Sequence, residues 1–358
     1  MASSWSGCHL LICWPSQTKP EIVEWISRGT GMQVSWLNAL LCPDDPTPFR
    51  DVDIIVTLRA LPKCRKDCPR LKYCHFLTAG FNYVAESSIF PDPSIRWTSS
   101  RGIHGPAIAE WVFMAYIAFQ REYDYHRQAQ REREWTGLSF RAMGHHRSLL
   151  SQRIGILGYG SVGRQIARVA AAFGMQVIAC TATSKESSNA RQQTGYRIAG
   201  IGDPSGTIPC EWYHGLDKAS LHHFLAQRLD LLVICLPLTQ QTRHLIGKEE
   251  FQVLRDHSPG GSAFIANVAR GDVIVQRDLV DALNLGNEGV RGAALDVQSP
   301  EPLPAESELW TANNCFISPH NAGMDDGYLK RGLEIMLMNL QKSDSEPWIN
   351  EVDSSQKY

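Results

Sequence analysis

Residues 153–180, RIGILGYGSVGRQIARVAAAFGMQVIAC, carry the pattern that most constrains the fold. An apolar run precedes three glycines at G-x-G-x-x-G spacing, and an amphipathic run and a second apolar run follow, which predicts a strand, a tight turn, a helix and another strand. Gly158 permits the turn, Gly160 lets the backbone approach a pyrophosphate, and Gly163 lets the helix pack on the strand. Unpaired N–H groups at the helix N-terminus favour phosphates. The segment therefore predicts a dinucleotide-binding βαβ unit.

The rest of the chain predicts two α/β domains. Its 358 residues are enough for two ordinary domains. Short apolar runs alternate with helical or loop segments over the first hundred residues, and a longer series of the same kind starts at Arg153. We place the boundary in the Pro-rich stretch 90–106, before an apolar helix at 107–120. That helix should be covered on more than one side, by its own domain or by a partner subunit.

Composition excludes some partners. The 35 basic and 37 acidic residues nearly cancel, so we expect small ligands and neither nucleic acid nor a membrane surface. The apolar stretch at 9–14 lacks a basic leader and is too short for a signal core or a membrane span, so we expect a soluble cytoplasmic protein.

The ten cysteines are expected to be reduced core residues. Cys64, Cys68, Cys74 and His75 match no zinc spacing, so we expect no metal.

Three polar residues follow successive predicted strands in the second half of the chain. Arg270 comes after the apolar run FIAN, Glu301 after GAALDV, and His320 after CFISP. Ligands of an open α/β sheet bind outside the carboxyl ends of its strands. Taken singly, each residue also has an ordinary explanation, as a surface loop residue, a turn or a strand end. Their joint placement favours convergence on one cleft.

These three residue types suit reduction of a carbonyl that lies next to a carboxylate. Hydride transfer needs a proton donor for the carbonyl oxygen, and His320 can fill that role. A neighbouring carboxylate, Glu301, would favour the protonated imidazole and orient it. Arg270 would grip the substrate carboxylate with two hydrogen bonds.

The end of the second strand of the βαβ unit bears on the cofactor. An acidic residue usually stands there to hold the ribose hydroxyl of NAD. This chain has Thr181 instead, followed by Thr183, Ser184 and Lys185, which can donate hydrogen bonds or positive charge to a ribose phosphate. The pattern favours NADPH over NADH, although Lys185 also fits a solvated loop residue.

Five motifs together resemble the D-2-hydroxyacid dehydrogenase family, including its glyoxylate and hydroxypyruvate reductases, along nearly the whole chain. They are GILGYGSVGRQIA (155–167), LVICLPLTQQT (232–242), IANVARGDVI (265–274), GAALDVQSPEPLP (292–304) and ISPHNAG (317–323). The resemblance implies an α/β fold of two domains. A Rossmann-type NAD(P)-binding domain, 101–321, would be inserted in a flavodoxin-like substrate-binding (catalytic) domain made of 1–100 and 322–358. Homodimers are also usual in such proteins, which supports 107–120 as a contact helix.

The resemblance also implies roles for individual residues. Arg270, Glu301 and His320 would be the catalytic set, Ala79 and Gly80 would bind the substrate carboxylate together with Arg270, and Asp296 would lie beside the nicotinamide carboxamide. Residues of the glycine turn and of the strand ends would bind the cofactor: Gly158, Tyr159, Gly160, Ser161, Val162, Gly163, Thr181, Thr183, Ser184, Lys185, Cys235, Leu236, Pro237, Thr242, Asn267, Val268, Ala269, Asp296 and His320. Candidates for the substrate pocket are Leu58, Arg59, Phe81 and Trp135.

The expected activity is reversible reduction of a small 2-keto acid, such as glyoxylate or hydroxypyruvate, to the D-2-hydroxy acid. The alternative is a dinucleotide-sensing protein similar to the corepressors that share this fold and retain the triad. Formate oxidation resembles a site with glutamine paired to the histidine, and Glu301 argues against it. One departure from the family pattern is Gly105 with Pro106, where small hydroxyl residues are frequent.

Overall fold

The computed structural model describes residues 5–80, 84, 87–135, 147–343 and 345–352. The chain forms two compact units. The first consists of Met1–Ile103, Gly195–Ile198 and Asp325–Lys357, and the second consists mainly of His104–Thr194 and Ala199–Met324.

The strands are all short. They are β1 His9–Cys13, β2 Gln33–Leu37, β3 Ile54–Thr57, β4 Tyr73–Phe76, β5 Arg96–Ser99, β6 Arg153–Leu157, β7 Gln176–Thr181, β8 Glu211–His214, β9 Leu231–Ile234, β10 Phe264–Asn267, β11 Gly292–Leu295 and β12 Cys315–Ile317. The α-helices are α1 Pro20–Thr30, α2 Gly105–Gln120, α3 Tyr123–Glu132, α4 Ser161–Ala172, α5 Ser188–Arg191, α6 Lys218–Leu225, α7 Lys248–His257, α8 Gln276–Asn284 and α9 Tyr328–Leu340.

The first unit is built on a parallel sheet with strand order β2-β1-β3-β4-β5. This order is that of flavodoxin-like folds. Successive residues of its central strands enter opposite cores because side chains alternate across a strand. Ile54 and Val56 pack in the core that contains Leu333 of α9, while Ile55 packs in the core that contains Phe49. Both faces of the sheet are therefore covered, as a parallel sheet requires.

The second unit contains a parallel sheet with strand order β12-β11-β10-β9-β6-β7-β8. The chain leaves β6 toward one edge and returns through β9 toward the other, as in Rossmann folds, so the switch point lies between β6 and β9. Helices α2 and α4 contribute to the core on one face, and α6, α7 and α8 contribute to the core on the other. The predicted two-domain α/β class is confirmed.

Helix α2 begins at the position where the chain departs from the family pattern. A Cβ atom at Gly105 would lie 3.2 Å from the Cβ atom of Gln165 in α4. Glycine therefore allows the two helices to approach closely. Most of α2 is buried, including Trp111 and Val112, whereas Met114 is 49% exposed.

The polar stretch between β7 and β8 contains a buried carboxylate. Much of it is exposed and it includes the short helix α5, but Asp203 is only 4% exposed. The Asp203 carboxylate accepts backbone N–H groups from Thr207 and Ile208, both at 3.0 Å. Residues Gly195–Ile198 of the same stretch belong to the first unit, where Tyr196 packs against the core.

No helix in the described ranges is long and apolar enough to cross a membrane. Within the same ranges, no group of three or more His, Cys, Asp or Glu side chains is placed to hold a metal ion.

Candidate active site

The glycine turn joins β6 to α4 in the second unit. Gly158 has φ +105°, and a Cβ atom there would lie 2.8 Å from the carbonyl oxygen of Cys235. A Cβ atom at Gly163 would lie 2.2 Å from the carbonyl oxygen of Gly158, whereas one at Gly160 would meet no atom within 4 Å. Two glycines are thus required by the protein itself, and the third borders open space. The N–H groups of Ser161 and Val162 begin α4 and have no acceptor within the helix, so the space beside them fits a dinucleotide pyrophosphate.

Tyr159, inside the glycine turn, is held by the stretch between β7 and β8. Its hydroxyl donates to Asp203 Oδ2 at 2.7 Å. Burial, with the nearby Asp203 carboxylate adding to it, raises the pKa of Tyr159 well above its ordinary value, so the hydroxyl stays protonated. The Arg164 guanidinium donates to the carbonyl oxygens of Asp203 and Arg191. The sequence did not predict these hydrogen bonds, because Asp203 lies in a polar segment that is typical of a turn.

The end of β7 carries the predicted ribose-recognition residues. The Thr181 hydroxyl donates to the carbonyl oxygen of Thr183 at 2.8 Å, and Ser184 Oγ donates to Glu186 at 3.0 Å. Arg191 Nε donates to the carbonyl oxygen of Lys185 at 2.7 Å. A cavity of about 170 Å³ lies beside this end and is lined by Ser184, Lys185, Glu186, Arg191, Cys210, Trp212, Tyr213 and His214. Arg191, which the sequence did not single out, thus joins Lys185 in this cavity.

The loop after β9 lies against the glycine turn. Cys235 Sγ donates to the carbonyl oxygen of Gly158 at 2.8 Å, and burial raises the pKa of this thiol. Thr242 is 2% exposed and donates to the carbonyl oxygen of Pro237 at 2.7 Å. Leu236 is also buried. The carboxyl ends of β6 and β9 therefore meet at the switch point. The Thr242 hydrogen bond lies within the loop after β9 and stabilises that loop.

His320 and Glu301 form a hydrogen-bonded pair. The distance between His320 Nδ1 and Glu301 Oε2 is 2.8 Å. Burial alone would raise the pKa of Glu301, but its interactions with His320, the N–H of Gln298 and the Arg270 charge together lower that pKa below the ordinary value. The carboxylate is therefore ionised next to the imidazole ring.

Asp296, at the end of β11, holds the loop that carries His320. Its Oδ1 accepts the Ser318 hydroxyl at 2.6 Å and the N–H groups of Asn321 and Ala322 at 2.9 and 3.0 Å. Its carbonyl oxygen accepts the N–H of His320 at 2.8 Å, and His320 has φ +54°. Burial raises the pKa of Asp296 in spite of these hydrogen bonds. His320 is thus fixed by its backbone as well as by its ring.

The loop after β10 places Arg270 next to the same pair. Asn267 is buried, and its side chain donates to the carbonyl oxygen of Arg270 and accepts the N–H of Ala269, both at 3.1 Å. Val268 donates its N–H to the carbonyl oxygen of Ile234 at 3.1 Å. The Arg270 guanidinium donates to the carbonyl oxygen of Ala269 at 2.7 Å and helps to lower the pKa of Glu301. Arg270 therefore lies close enough to the Glu301–His320 pair for its charge to act on the Glu301 carboxylate.

The predicted substrate-binding turn belongs to the first unit. Thr78 Oγ1 donates to the carbonyl oxygen of Gly80 at 2.7 Å, and Ala79 is exposed. Of the predicted pocket residues, Leu58 is buried in the core, Arg59 is exposed and Trp135 is 96% exposed. Phe81 lies outside the described residues.

A Rossmann sheet with this glycine turn, and with a histidine–carboxylate pair and an arginine at its strand ends, defines a dinucleotide-dependent oxidoreductase. The family model of the D-isomer specific 2-hydroxyacid dehydrogenase NAD binding domain matches residues 113–203 and 201–322. The chain belongs to the D-isomer specific 2-hydroxyacid dehydrogenase family and is an NAD(P)-dependent enzyme. Both the resemblance and the cofactor class expected from the sequence are confirmed.

Known proteins agree with this assignment. A hydroxypyruvate reductase of Blautia hydrogenotrophica is 26% identical over 299 residues, which cover 82% of each chain. A human glyoxylate reductase/hydroxypyruvate reductase is 32% identical over 172 residues, or 48% of this chain and 44% of the human one.

Solved structures show the same fold. A D-isomer specific 2-hydroxyacid dehydrogenase family protein from Aeromonas salmonicida has a TM-score of 0.74 at 24% identity, covering 98% of this chain and 100% of that one. An NADPH-dependent glyoxylate/hydroxypyruvate reductase from Sinorhizobium meliloti, in complex with NADP and sulfate, has a TM-score of 0.70 at 25% identity, covering 97% and 99%.

Proposed function

We propose that the enzyme reversibly reduces a small 2-keto acid to the D-2-hydroxy acid, with His320 as the general acid and base. The hydrogen bond between His320 Nδ1 and Glu301 Oε2 carries this proposal. It occupies one ring nitrogen with an ionised carboxylate and leaves Nε2 to donate a proton to the carbonyl oxygen of the substrate. In the reverse direction the same nitrogen accepts the proton of the hydroxyl.

Arg270 and the turn at Ala79–Gly80 are proposed to bind the substrate carboxylate. The Arg270 guanidinium offers a planar pair of donors that matches a carboxylate. Within the described ranges, the N–H groups of Ala79 and Gly80 have no acceptor. Relatives named for glyoxylate or hydroxypyruvate support these two small acids as the substrate class.

We propose that the cofactor-binding residues are those named from the sequence. When bound, NADPH or NADH supplies the hydride. The N–H groups at the start of α4 would hold the pyrophosphate, and Asp296 would lie beside the nicotinamide carboxamide. NADPH is favoured because Thr181 replaces the usual acid and because Lys185 and Arg191 line one cavity at the end of β7. The NADPH-dependent relative of known structure supports this preference.

The domain roles and assembly are proposals too. We assign the first unit to the substrate and the second to NAD(P), with 1–100 and 322–358 as the substrate-binding parts and 101–321 as the nucleotide-binding part. A homodimer through α2 is supported by the exposed Met114 in an otherwise largely buried apolar helix. The ten cysteines are all free, which supports a reducing compartment such as the cytoplasm.

The test is reduction of a panel of 2-keto acids by the purified protein with NADPH or NADH, followed as loss of absorbance of the reduced cofactor. We expect glyoxylate or hydroxypyruvate to be reduced and His320→Ala to abolish turnover while the cofactor still binds. His257→Ala, on the exposed end of α7, is the matched control and should be as active as the wild type. Full activity of His320→Ala would refute the role of His320. If no acid is reduced although the cofactor binds, the dinucleotide-sensing alternative replaces the enzyme.

A further inference from the structure

Gln298 contacts the loops of all three proposed catalytic residues. It follows β11 and is only 7% exposed. Its backbone N–H donates to Glu301 Oε1 at 3.0 Å. Its side-chain Nε2 donates to the carbonyl oxygens of Leu295 at 2.9 Å and Ser318 at 3.2 Å.

The side-chain amide joins two neighbouring strand ends. Leu295 is the last residue of β11, and Ser318 directly follows β12. The carbonyl oxygen of Ser318 also accepts the N–H of His320 at 3.1 Å. One carbonyl group thus receives hydrogen bonds from both Gln298 and His320.

The backbone of Gln298 fixes the orientation of the Glu301 carboxylate. Oε1 is held by the Gln298 N–H, and Oε2 is held by His320. Because both oxygens have a partner in a fixed direction, rotation of the carboxylate would break at least one hydrogen bond.

The third contact is with the loop of Arg270. A Cβ atom at Gly271 would lie 2.0 Å from the carbonyl carbon of Gln298 and 2.1 Å from its oxygen. The two backbones are therefore packed so closely that only glycine fits at position 271. This contact is made by the Gln298 backbone, so a substitution of the side chain should leave the Arg270 loop in place.

We propose that Gln298 is a positioning residue, which aligns Glu301 with His320 through its backbone N–H and its side-chain amide. The inference rests on the proposed function, in which His320 transfers the proton. A primary amide suits the site, because its single nitrogen carries two N–H donors for the two carbonyl groups. An ionised carboxylate has no N–H or O–H donor. An apolar side chain would also lose the hydrogen bonds that the amide donates to the carbonyl oxygens of Leu295 and Ser318.

Two variants of the full-length enzyme test the proposal, each assayed with the cofactor at a saturating concentration. Gln298→Met keeps the length of the side chain without a donor, and Gln298→Glu keeps its shape but places a negative charge beside the two carbonyl groups. We expect kcat for reduction to fall about 10- to 100-fold in Gln298→Met, since small misplacements of reacting groups have effects of that size. The KM for the keto acid and the Kd for the cofactor should change less than about twofold.

Two readouts separate positioning from simple structural support. Loosening of the Glu301–His320 pair in Gln298→Met should lower kcat at an unchanged KM, whereas partial unfolding would lower the thermal stability of the protein. In Gln298→Glu the defect should deepen as pH rises and the new carboxyl group ionises. Gln227→Met is the control, because the half-buried Gln227 donates its side-chain amide to a backbone carbonyl group in α6, away from the proposed site. It should leave kcat unchanged.

The outcomes are distinct. A wild-type kcat in Gln298→Met, alongside an inactive His320→Ala, would overturn the role of Gln298 and leave the proposed function intact. Lower thermal stability with an unchanged kcat would also overturn it. If His320→Ala is fully active, the proposed function itself fails. Should Gln298→Met not fold, Gln298→Glu decides by the same measurements.

Discussion

His320 Nδ1 and Glu301 Oε2 are 2.8 Å apart, although the two residues belong to different loops of the second unit. The contact depends on β11 and β12 being neighbours in the sheet, because each loop leaves the carboxyl end of one of these strands. It gives the imidazole a negative partner and fixes the direction of its other nitrogen. The His320 ring is therefore held in one orientation beside an ionised carboxylate.

Replacement of Glu301 tests the electrostatic part of this relationship. The pKa of Glu301 is lowered, so the carboxylate stays ionised down to below its ordinary value of 4.5, and it should impose no acid limb on reduction above that pH. In Glu301→Gln the negative partner of the imidazole is lost. We expect kcat/KM for reduction near neutral pH to fall about 10- to 100-fold, because the His320 ring is no longer oriented by a charged partner.

The measurement is kcat/KM for reduction from about pH 5 to about pH 9, for Glu301→Gln and for the wild type. The matched control is Glu250→Gln, because Glu250 forms a similar pair with His222 at 2.7 Å on α7 and α6 of the same unit. The control should retain the wild-type profile. An equal kcat/KM for Glu301→Gln and the wild type across this pH range would contradict the prediction.

Arg270→Lys tests the two-pronged grip on the substrate carboxylate. Lysine keeps the charge but presents a single nitrogen, so it cannot form two parallel hydrogen bonds. We expect the KM for the keto acid to rise about 10- to 100-fold, with little change in cofactor binding. Steady-state kinetics and a cofactor titration measure the two effects. Arg255→Lys, at an exposed ion pair with Asp256 on α7, is the control. An unchanged KM would show that Arg270 does not bind the carboxylate.

The parts of the site that could be predicted from the sequence are those with a local signal. The glycine turn is defined by spacing within one βαβ unit, and each proposed catalytic residue follows an apolar run that is a strand. The parts that were not predicted depend on hydrogen bonds between distant segments. Asp203 binds a tyrosine 44 residues away in the chain, and the Gln298 amide binds Ser318, 20 residues away. Nothing near these two polar residues marks them as buried.

Edge strands were harder to predict for a related reason. Strand β8, Glu211–His214, is only half-buried and lacks an apolar run. The other sheet has an edge strand, β5, which pairs with the C-terminal segment through a bridge between Thr98 and Glu351. Val352 also donates its N–H to the carbonyl oxygen of Trp97 at 2.8 Å. Such pairings use backbone groups, which all residues share, so the side-chain pattern does not reveal them.

Two glycines of the turn should respond differently to alanine. In Gly160→Ala the new methyl group would enter open space, so we expect an unfolding free energy within about 0.5 kcal/mol of the wild type. The same methyl group would occupy the space proposed for the pyrophosphate, and the Kd for NADPH should rise about tenfold or more. In Gly163→Ala the methyl group would overlap the carbonyl oxygen of Gly158, and we expect destabilisation by about 1–3 kcal/mol.

Denaturant unfolding and a cofactor titration, performed on both glycine variants, separate the two effects. Each variant is the control for the other, since the same methyl group is added three residues apart. Unimpaired NADPH binding by a stably folded Gly160→Ala would mean that the pyrophosphate does not lie against this turn.

Thr181→Asp tests cofactor preference. A carboxylate at the end of β7 can accept hydrogen bonds from the ribose hydroxyl groups of NADH and would repel the phosphate of NADPH. We expect the ratio of kcat/KM for NADPH to that for NADH to fall by about tenfold or more. Thr311→Asp adds the same charge at an exposed position of this unit and should leave the ratio unchanged. A ratio equal to that of the wild type in Thr181→Asp would refute the role of Thr181.

His75 should make the stability of the protein depend on pH. It is fully buried on β4, with Nδ1 2.7 Å from Thr98 Oγ1 and Nε2 2.9 Å from Ser100 Oγ. Burial lowers the pKa of His75 from 6.5 to about 3, in spite of a hydrogen bond with the backbone of Gly332. Below pH 6.5 the unfolded chain binds a proton that the folded protein does not, so stability falls as pH drops from that value towards about 3.

Each pH unit in that window should remove about 1.4 kcal/mol, so the wild type should lose about 2 kcal/mol through His75 between about pH 7.5 and about pH 5. His75→Gln cannot titrate and should lack this part of the loss. Urea unfolding of the wild type and of His75→Gln at the two pH values gives the loss of unfolding free energy for each protein. The difference between the two losses isolates His75, because the titration of all other groups is common to both proteins. The exposed His126→Gln on α3 is the control and should follow the wild type. If His75→Gln loses as much stability as the wild type, His75 is not held neutral by burial.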